Sequence, residues 1–539
     1  MVICMTDILL FNQYFTSKKE LPEFVTATLP INLLNLASFI IYKGFKCKIY
    51  DLGIFNYSNI IEENDKKIRC GISDDEIINI INKENPKIIG IGCLFTMYFW
   101  DVLSIARLIK KVNSKIKVVL GGNHATIFAK DILKESSIDF IVRGEGEITF
   151  YELCNNIINN HPSLDSILGL TYRNENGEII SNPDRPLISN LDDLPMIDYS
   201  LVDLKKYAIP INKSPYVMRY PLLGIMTSRG CPGKCVFCTV KAVWGRTWRG
   251  RSAKKVVDEI ELLITNYGIR EISFLDDSVS VNKNRWGEIC NEILKRKLDI
   301  KWTTPNGIAY WTLDKKILGL MKKAGCYRIT FGIESGNVET RKFIGKSYSL
   351  SLAKDLIEHA NKIGMWTICT NIIGFPYETK EQIYDTINFA KISGTDFAVF
   401  YLLSPFLTSD VYAYFKKEGL LDYDTVLSDN WLNDVKYEKM FETLSIGGFS
   451  TKYLNSTELK KIQMFAYRSF IFYRIFSYII NPLRLLRKIK SFEDFKYFIK
   501  LFITGINIVF KGLLSFASFS KKSPFNLFYK KPEKLTFKK

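Results

Sequence analysis

The chain has 539 residues, 47% of them hydrophobic, and a formal net charge of +18. That length suits about three domains with their own cores, and the apolar content excludes a disordered chain. The basicity does not mark a nucleic-acid binder: Lys460 to Lys539 holds 18 Lys and Arg against 3 acids, a net +15, leaving +3 for the first 459 residues. The opening "MVICMTDILLFNQ" has no basic n-region and no small-residue cleavage site. It reads as a buried strand, which places the protein in the cytoplasm. Cys4, Cys47, Cys70, Cys93, Cys154, Cys290, Cys326 and Cys369 are scattered, mostly in apolar runs, as reduced core thiols are.

In residues 1–165, apolar runs such as "KIIGIGCLF" and "IKVVLGG" alternate with helical patterns such as "DVLSIARLIKKVN". Five strands separated by helices predict a doubly wound, flavodoxin-like parallel sheet, which binds ligands beyond the carboxyl ends of its strands. Those ends carry Thr96, then Gly121, Gly122 and His124, then Gly144, Glu145, Gly146 and Glu147. Glycines there let backbone approach a large ligand, although tight turns would explain any one cluster. Residues 166–215 read as a hairpin around Asn176-Gly177 followed by a polar, Pro-containing linker. From residue 216 to 410 six more strands alternate with helices, the pattern of a partial (β/α)6 barrel of TIM type, with its active site at the carboxyl ends.

After the first barrel strand comes "SRGCPGKCVFCTV", which puts Cys231, Cys235 and Cys238 within eight residues. A structural zinc site needs four ligands, and disulfides need an even number in an oxidising compartment. Three thiolates suit a four-iron cluster that leaves one iron open to a substrate or cofactor.

The Cys-x3-Cys-x-aromatic-Cys motif resembles that of the radical S-adenosylmethionine (radical SAM) enzymes. "FLDDS", "GIESGN", "NIIGFPYET", "GGNHA" and "RGEGEITFYEL" resemble landmarks of their subgroup with an N-terminal cobalamin-binding domain, over roughly residues 1–410. The resemblance implies that Cys231, Cys235 and Cys238 ligate a 4Fe-4S cluster whose fourth iron holds S-adenosylmethionine. Electron transfer from the cluster, supplied by a flavodoxin or ferredoxin, then yields a 5′-deoxyadenosyl radical. Phe237 would shield the cluster, lie beside the adenine, or simply pack. Asp276 and Asp277 would meet the methionine amino group, unless one caps the next helix. Glu334, with Ser335, would meet the ribose or the amino group, and Gly374 would shape a turn near the adenine. The glycine-rich strand ends of the first domain would face cobalamin.

Two departures stand out. The loop after the first strand contains no histidine, so cobalt would lack a lower histidine ligand; His124, one of three histidines in the chain, reads more as a polar loop contact. "SPFLTSDVY" stands where relatives show a Pro-x-Pro-Gly-Thr turn, so substrate contacts near Pro405 to Asp410 differ. The function implied is modification of an unactivated carbon in a small-molecule or lipid-like substrate, by methyl transfer. Oxidative cyclisation or rearrangement, and a radical SAM enzyme that has lost cobalamin, remain open. A non-catalytic cobalamin sensor would not need the cysteine triplet.

Residues 411–539 read as a basic, aromatic-rich helical region broken at Pro482. Leu501 to Ser520 is long enough to span a bilayer, but Lys511 lies near its middle. Helices packed on the barrel and peripheral contact with the inner membrane face are the other two readings.

Overall fold

The computed structural model describes residues 6–18, 28–54, 60–63, 67–210, 213–421, 447–514 and 537–538. Strands β1 (Ile8–Asn12), β2 (Cys47–Asp51), β3 (Ile88–Gly92), β4 (Lys117–Gly121) and β5 (Phe140–Val142) pair in parallel in the order β5-β4-β3-β1-β2. This is the flavodoxin-like order, and its crevice opens between β1 and β3, where the winding reverses. Their Ile, Leu and Val side chains are buried on both faces because helices cover both, among them α1 (Ile31–Tyr42), α2 (Phe99–Val112) and α3 (Gly146–Asn159).

The hairpin that the sequence separates from this domain belongs to its sheet. β6 (Leu170–Arg173) and β7 (Ile179–Ser181) extend it antiparallel beyond β5, so that β5 is not an open edge. Gly177, at φ 81°, makes the expected turn. The stretch expected as a linker is packed: Ile197, Tyr199 and Leu204 are buried, and the Tyr207 hydroxyl donates to Asp51 Oδ2 at 2.7 Å. One continuous core runs from the first sheet through this stretch into the barrel.

The barrel strands are β8 (Leu222–Ile225), β9 (Glu271–Phe274), β10 (Lys301–Ile308), β11 (Cys326–Glu334), β12 (Trp366–Ile373) and β13 (Phe397–Leu402). They pair in parallel in chain order, and β8 and β13 remain apart, which makes the partial barrel expected.

Helix α4 (Ser456–Ile480) buries Leu459, Ile462, Ala466 and Phe470 against the barrel. It ends at Asn481, next to Pro482. It runs against the strands, from Gly374 at the carboxyl end of β12, which Leu459 covers, to Asp396 before β13, where Tyr478 docks. α5 (Phe492–Leu514) follows, its Tyr497 packed on Tyr327 and Trp366 at the amino ends of β11 and β12. Among the described residues no helix is long and apolar enough to cross a membrane; residues 515–520 of the run considered above lie outside them.

Candidate active site

The cysteine loop leaves β8 through Ser228 and Arg229, which pair with Arg249–Gly250 as a two-residue ribbon. Gly230, at φ 84°, is needed because any side chain would strike the Thr247 carbonyl. The loop is held from both sides: Val236 N donates to Ile344 O at 3.0 Å, and Val411 N donates to Val236 O at 2.8 Å. Lys241 pairs with Asp410, tying the loop's far end to the segment after β13. A Cβ on Gly233 would lie 3.3 Å from Cys231 Sγ and 3.8 Å from Cys235 Sγ, so both sulfurs flank this glycine.

Burial pushes the Cys238 thiol up to about 11. Burial also raises Cys235, opposed by the charge of Lys346. Such thiols keep their protons until a metal displaces them. Among the described residues no three His, Cys, Asp or Glu side chains could hold a single metal ion. The other described cysteines are buried; the thiol of Cys290 is pushed up to about 12. Cys4 lies outside the described residues.

The strand ends around the loop divide into groups that face it and groups that brace it. Asp276 braces through one oxygen: Thr227 N and Oγ1 donate to its Oδ1 at 3.1 and 2.8 Å, and Ser228 Oγ donates to it as well, while its Oδ2 has no hydrogen-bond partner. Asp277 accepts from the Gly230 backbone, its Oδ2 has no hydrogen-bond partner, and burial raises its carboxyl to about 6. Neither caps the next helix; Asn282 does. Glu334 adopts φ 68°, a left-handed conformation costing on the order of 1–3 kcal/mol in a non-glycine residue. Its Oε1 accepts from the buried Lys346 Nζ at 2.9 Å, a partner that the sequence reading missed. Burial works against the Lys346 charge, and Glu334 together with Cys235 and Tyr310 more than offsets it, so the ammonium titrates above its ordinary range. Gly332 makes room for the pair: a Cβ there would lie 3.0 Å from Glu334 Oε1 and 3.1 Å from Lys346 Nζ.

Ser335 braces the turn after β11, bonding Thr386 Oγ1 at 3.0 Å and accepting from Asn337 N. Phe237 packs toward Phe375, ring centroids 6.3 Å apart. Gly374, at φ 95°, lies under Leu459 of α4.

A cleft of about 300 Å³ opens between the carboxyl ends of the first sheet and residues on either side of the cysteine loop; Cys231, Cys235 and Cys238 are not in its lining. Asn12, Gly92, Gly121, Gly122 and Gly144 to Glu147 line one side, and Arg229, Val243 and Trp244 the other. Gly144 has nothing within 4 Å of its Cβ position, and Gly121 only the Val142 carbonyl oxygen at 3.7 Å. These open positions fit a broad, flat ligand such as a corrin. Gly122 is different: at φ 102°, a Cβ there would lie 2.6 Å from Cys93 O, so this glycine is required by the backbone.

Two expectations change here. Thr96 and His124 do not line the cleft; His124 Nδ1 meets Thr96 Oγ1 at 3.1 Å, and the imidazole packs between Phe99 and Phe128. Burial drops its titration to about 3, leaving it neutral. Glu145 and Glu147, which read as cofactor contacts, line the cleft and also reach across to Arg229 and Arg249. No local pattern could show this, because the partners lie some 80–100 residues away.

The Radical SAM superfamily profile matches residues 225–390, and that of the B12 binding domain residues 24–154. An uncharacterized methyltransferase of Pyrococcus horikoshii is 36% identical over 454 residues, 83% of this chain and 91% of the relative. The cytidylyl-2-hydroxyethylphosphonate methyltransferase of Streptomyces wedmorensis is 30% identical, covering 77% of this chain and 82% of the relative. The solved radical SAM methyltransferase TsrM of Kitasatospora setae, with cobalamin and a [4Fe-4S] cluster bound, has the same fold. Its TM-score is 0.63 at 19% identity, over 77% of this chain and 78% of that one.

Proposed function

Because the chain belongs to the cobalamin-binding radical SAM enzymes, we propose that it transfers a methyl group to an unactivated carbon of a small molecule. Its cofactors are a 4Fe-4S cluster, S-adenosylmethionine and cobalamin. The observation that carries the reading is the cleft itself, whose glycine-lined side faces Arg229, Val243 and Trp244, the residues on either side of the cysteine loop. When bound, the cluster supplies the electron that cleaves S-adenosylmethionine, and cobalamin carries the methyl group.

The chain's residues then have distinct tasks. Cys231, Cys235 and Cys238 give up their protons to hold iron, while the pinned loop keeps them on one side. Asp277, whose Oδ2 has no hydrogen-bond partner, accepts from a cationic amino group. Glu334 offers acceptor oxygens to the same ligand, with Lys346 fixing its orientation. Gly121, Gly144 and Gly146 leave the corrin face uncrowded. A flavodoxin- or ferredoxin-type donor supplies electrons.

Methyl transfer and cyclisation leave different products. Losing a methyl group turns S-adenosylmethionine into S-adenosylhomocysteine; reductive cleavage gives 5′-deoxyadenosine and methionine. Protein reconstituted anaerobically with iron, sulfide and cobalamin, then given S-adenosylmethionine and a reductant, should form both, with S-adenosylhomocysteine dependent on cobalamin. Formation of 5′-deoxyadenosine alone would favour cyclisation or rearrangement.

We also propose peripheral contact with anionic membrane. Near the amino ends of the barrel strands, Phe476, Ile479 and Phe492 are 63%, 70% and 70% exposed; Lys496 stands over the Phe492 ring, and Arg487 and Lys490 are exposed in the segment between the two helices. Exposed apolar side chains with cations near them in the chain suit a lipid interface. Vesicles containing anionic lipid should co-sediment the protein, less so at high salt or with Phe476→Glu and Ile479→Glu. Equal binding to neutral vesicles, or none to anionic ones, would remove this reading.

A further inference from the structure

Four charged side chains join the two cofactor-bearing halves in a buried cluster. Arg229 Nη1 donates to Glu145 Oε1 at 2.7 Å, and Arg229 Nη2 to Glu147 Oε1 at 2.6 Å. Arg249 Nη1 reaches both oxygens of Glu145, at 2.9 and 2.8 Å. Glu145 Oε2 also accepts from Ile188 N at 2.6 Å, which brings the intervening segment into the cluster. Two cations and two anions cancel, and all four residues are under 12% exposed at the side chain.

Their positions along the chain give the cluster its meaning. Arg229 precedes Cys231 by two residues, and Glu145 and Glu147 flank Gly146 at the start of α3, on the opposite wall of the cleft. The Arg229 guanidinium also stands over the Trp244 ring, 5.4 Å from its centre, and Trp244 lines the cleft. A buried ion cluster adds little to stability compared with apolar packing, but it tolerates little displacement, because each lost partner strands a charge. Burial works against the Glu147 carboxylate, and Arg229 overrides it and holds the carboxyl below its usual range.

We infer that Arg229 is a positioning residue: through Glu145 and Glu147 it registers the cysteine loop against the glycine-lined cleft, setting the separation of cluster and cobalamin. The inference rests on the assignment of the cleft to cobalamin. Cobalamin retention should then depend on the ion cluster even though the iron ligands are untouched.

The test compares wild type, Arg229→Gln and Glu147→Gln, each reconstituted anaerobically with iron, sulfide and cobalamin and checked for folding by circular dichroism. Absorbance gives cobalamin per protein, and iron is assayed separately. Electron paramagnetic resonance of cob(II)alamin beside the reduced cluster reads their magnetic interaction, which depends on distance and which a general loss of stability does not alter. Both variants should keep their iron, retain cobalamin about fivefold less well, at the low end of site-to-site coupling, and show a weakened magnetic interaction. Glu147→Gln is the milder change, since it leaves Arg229 paired with Glu145, and it decides the matter if Arg229→Gln loses iron or fold. A folded Glu147→Gln protein with wild-type cobalamin content and wild-type magnetic interaction overturns the inference. Wild-type protein that binds no cobalamin would instead overturn the assignment of the cleft.

Discussion

Lys488 Nζ lies 2.6 Å from Asp396 Oδ2, and neither side chain is exposed to solvent at all. Lys488 also donates to Asn361 Oδ1 and Met365 O at 2.6 Å and stands over the Trp366 ring. The C-terminal region is thus bolted to the barrel by a charge that, among the described residues, pairs with Asp396 alone. Replacing Lys488 by Met should cost about 3–5 kcal/mol, because Asp396 would lose its direct cationic partner while buried, keeping only the more distant charge of Arg484 and hydrogen bonds from Thr367 and Tyr478. Chemical denaturation reads the loss. A change below about 1 kcal/mol, the range of surface pairs, would show that the pair contributes little.

The three loop cysteines and the core cysteines should separate cleanly. Cys231→Ala, Cys235→Ala or Cys238→Ala should abolish 5′-deoxyadenosine formation and lower iron content. Cys290→Ala or Cys326→Ala should preserve both, at a stability cost of about 1 kcal/mol for the small cavity. Equal dependence on Cys290 would reassign the iron ligands.

Neighbouring glycines in the cleft should respond differently. Gly121→Leu should fold and bind less cobalamin, since its side chain would enter an open wall. Gly122→Ala should destabilise instead, by roughly 1–3 kcal/mol, because φ 102° and the Cys93 carbonyl both oppose a Cβ. Melting curves and cobalamin absorbance distinguish the two.

Glu378 accepts from Gly374 N at 2.8 Å and Phe375 N at 3.3 Å, and burial raises its carboxyl from 4.5 to about 8. The folded protein therefore holds a proton here that the unfolded chain releases near pH 4.5. This contribution to stability is complete below that pH and is lost as pH rises through about 8. Glu378→Gln keeps an acceptor oxygen and cannot ionise. It should gain in melting temperature on the wild type as pH rises across this window, and a constant difference would show that Glu378 is ionised when folded.

Much of this was legible in the residues themselves. Apolar runs such as "KIIGIG" between amphipathic helices predict both parallel sheets, because strands covered on two faces are apolar throughout. The triplet's spacing points to a cluster because no other common site uses three thiols so close together. Partner choice was not legible. Glu145 and Glu147 look like ligand groups until Arg229 and Arg249 are brought beside them by folding. Asp276 and Asp277 are indistinguishable as letters, yet Asp276 Oδ1 gathers Thr227 and Ser228 while Asp277 takes only the Gly230 backbone, and each keeps an Oδ2 without a hydrogen-bond partner. Lys346 gave no signal at all, as an isolated lysine usually reads as solvated.

The open side of the barrel bears on how the C-terminal region can be studied. β13 has a neighbour on one side only, and α4 supplies what a seventh strand would: Phe400 N donates to the Tyr467 hydroxyl at 3.1 Å, and Gln463 Nε2 donates to Phe400 O at 2.7 Å. A bare edge strand recruits other chains. Protein cut off ahead of α4 should therefore self-associate through β13, and its failure to reach vesicles would report clumping, not lipid preference. Side-chain changes on the outer face of an intact α4 keep the edge capped.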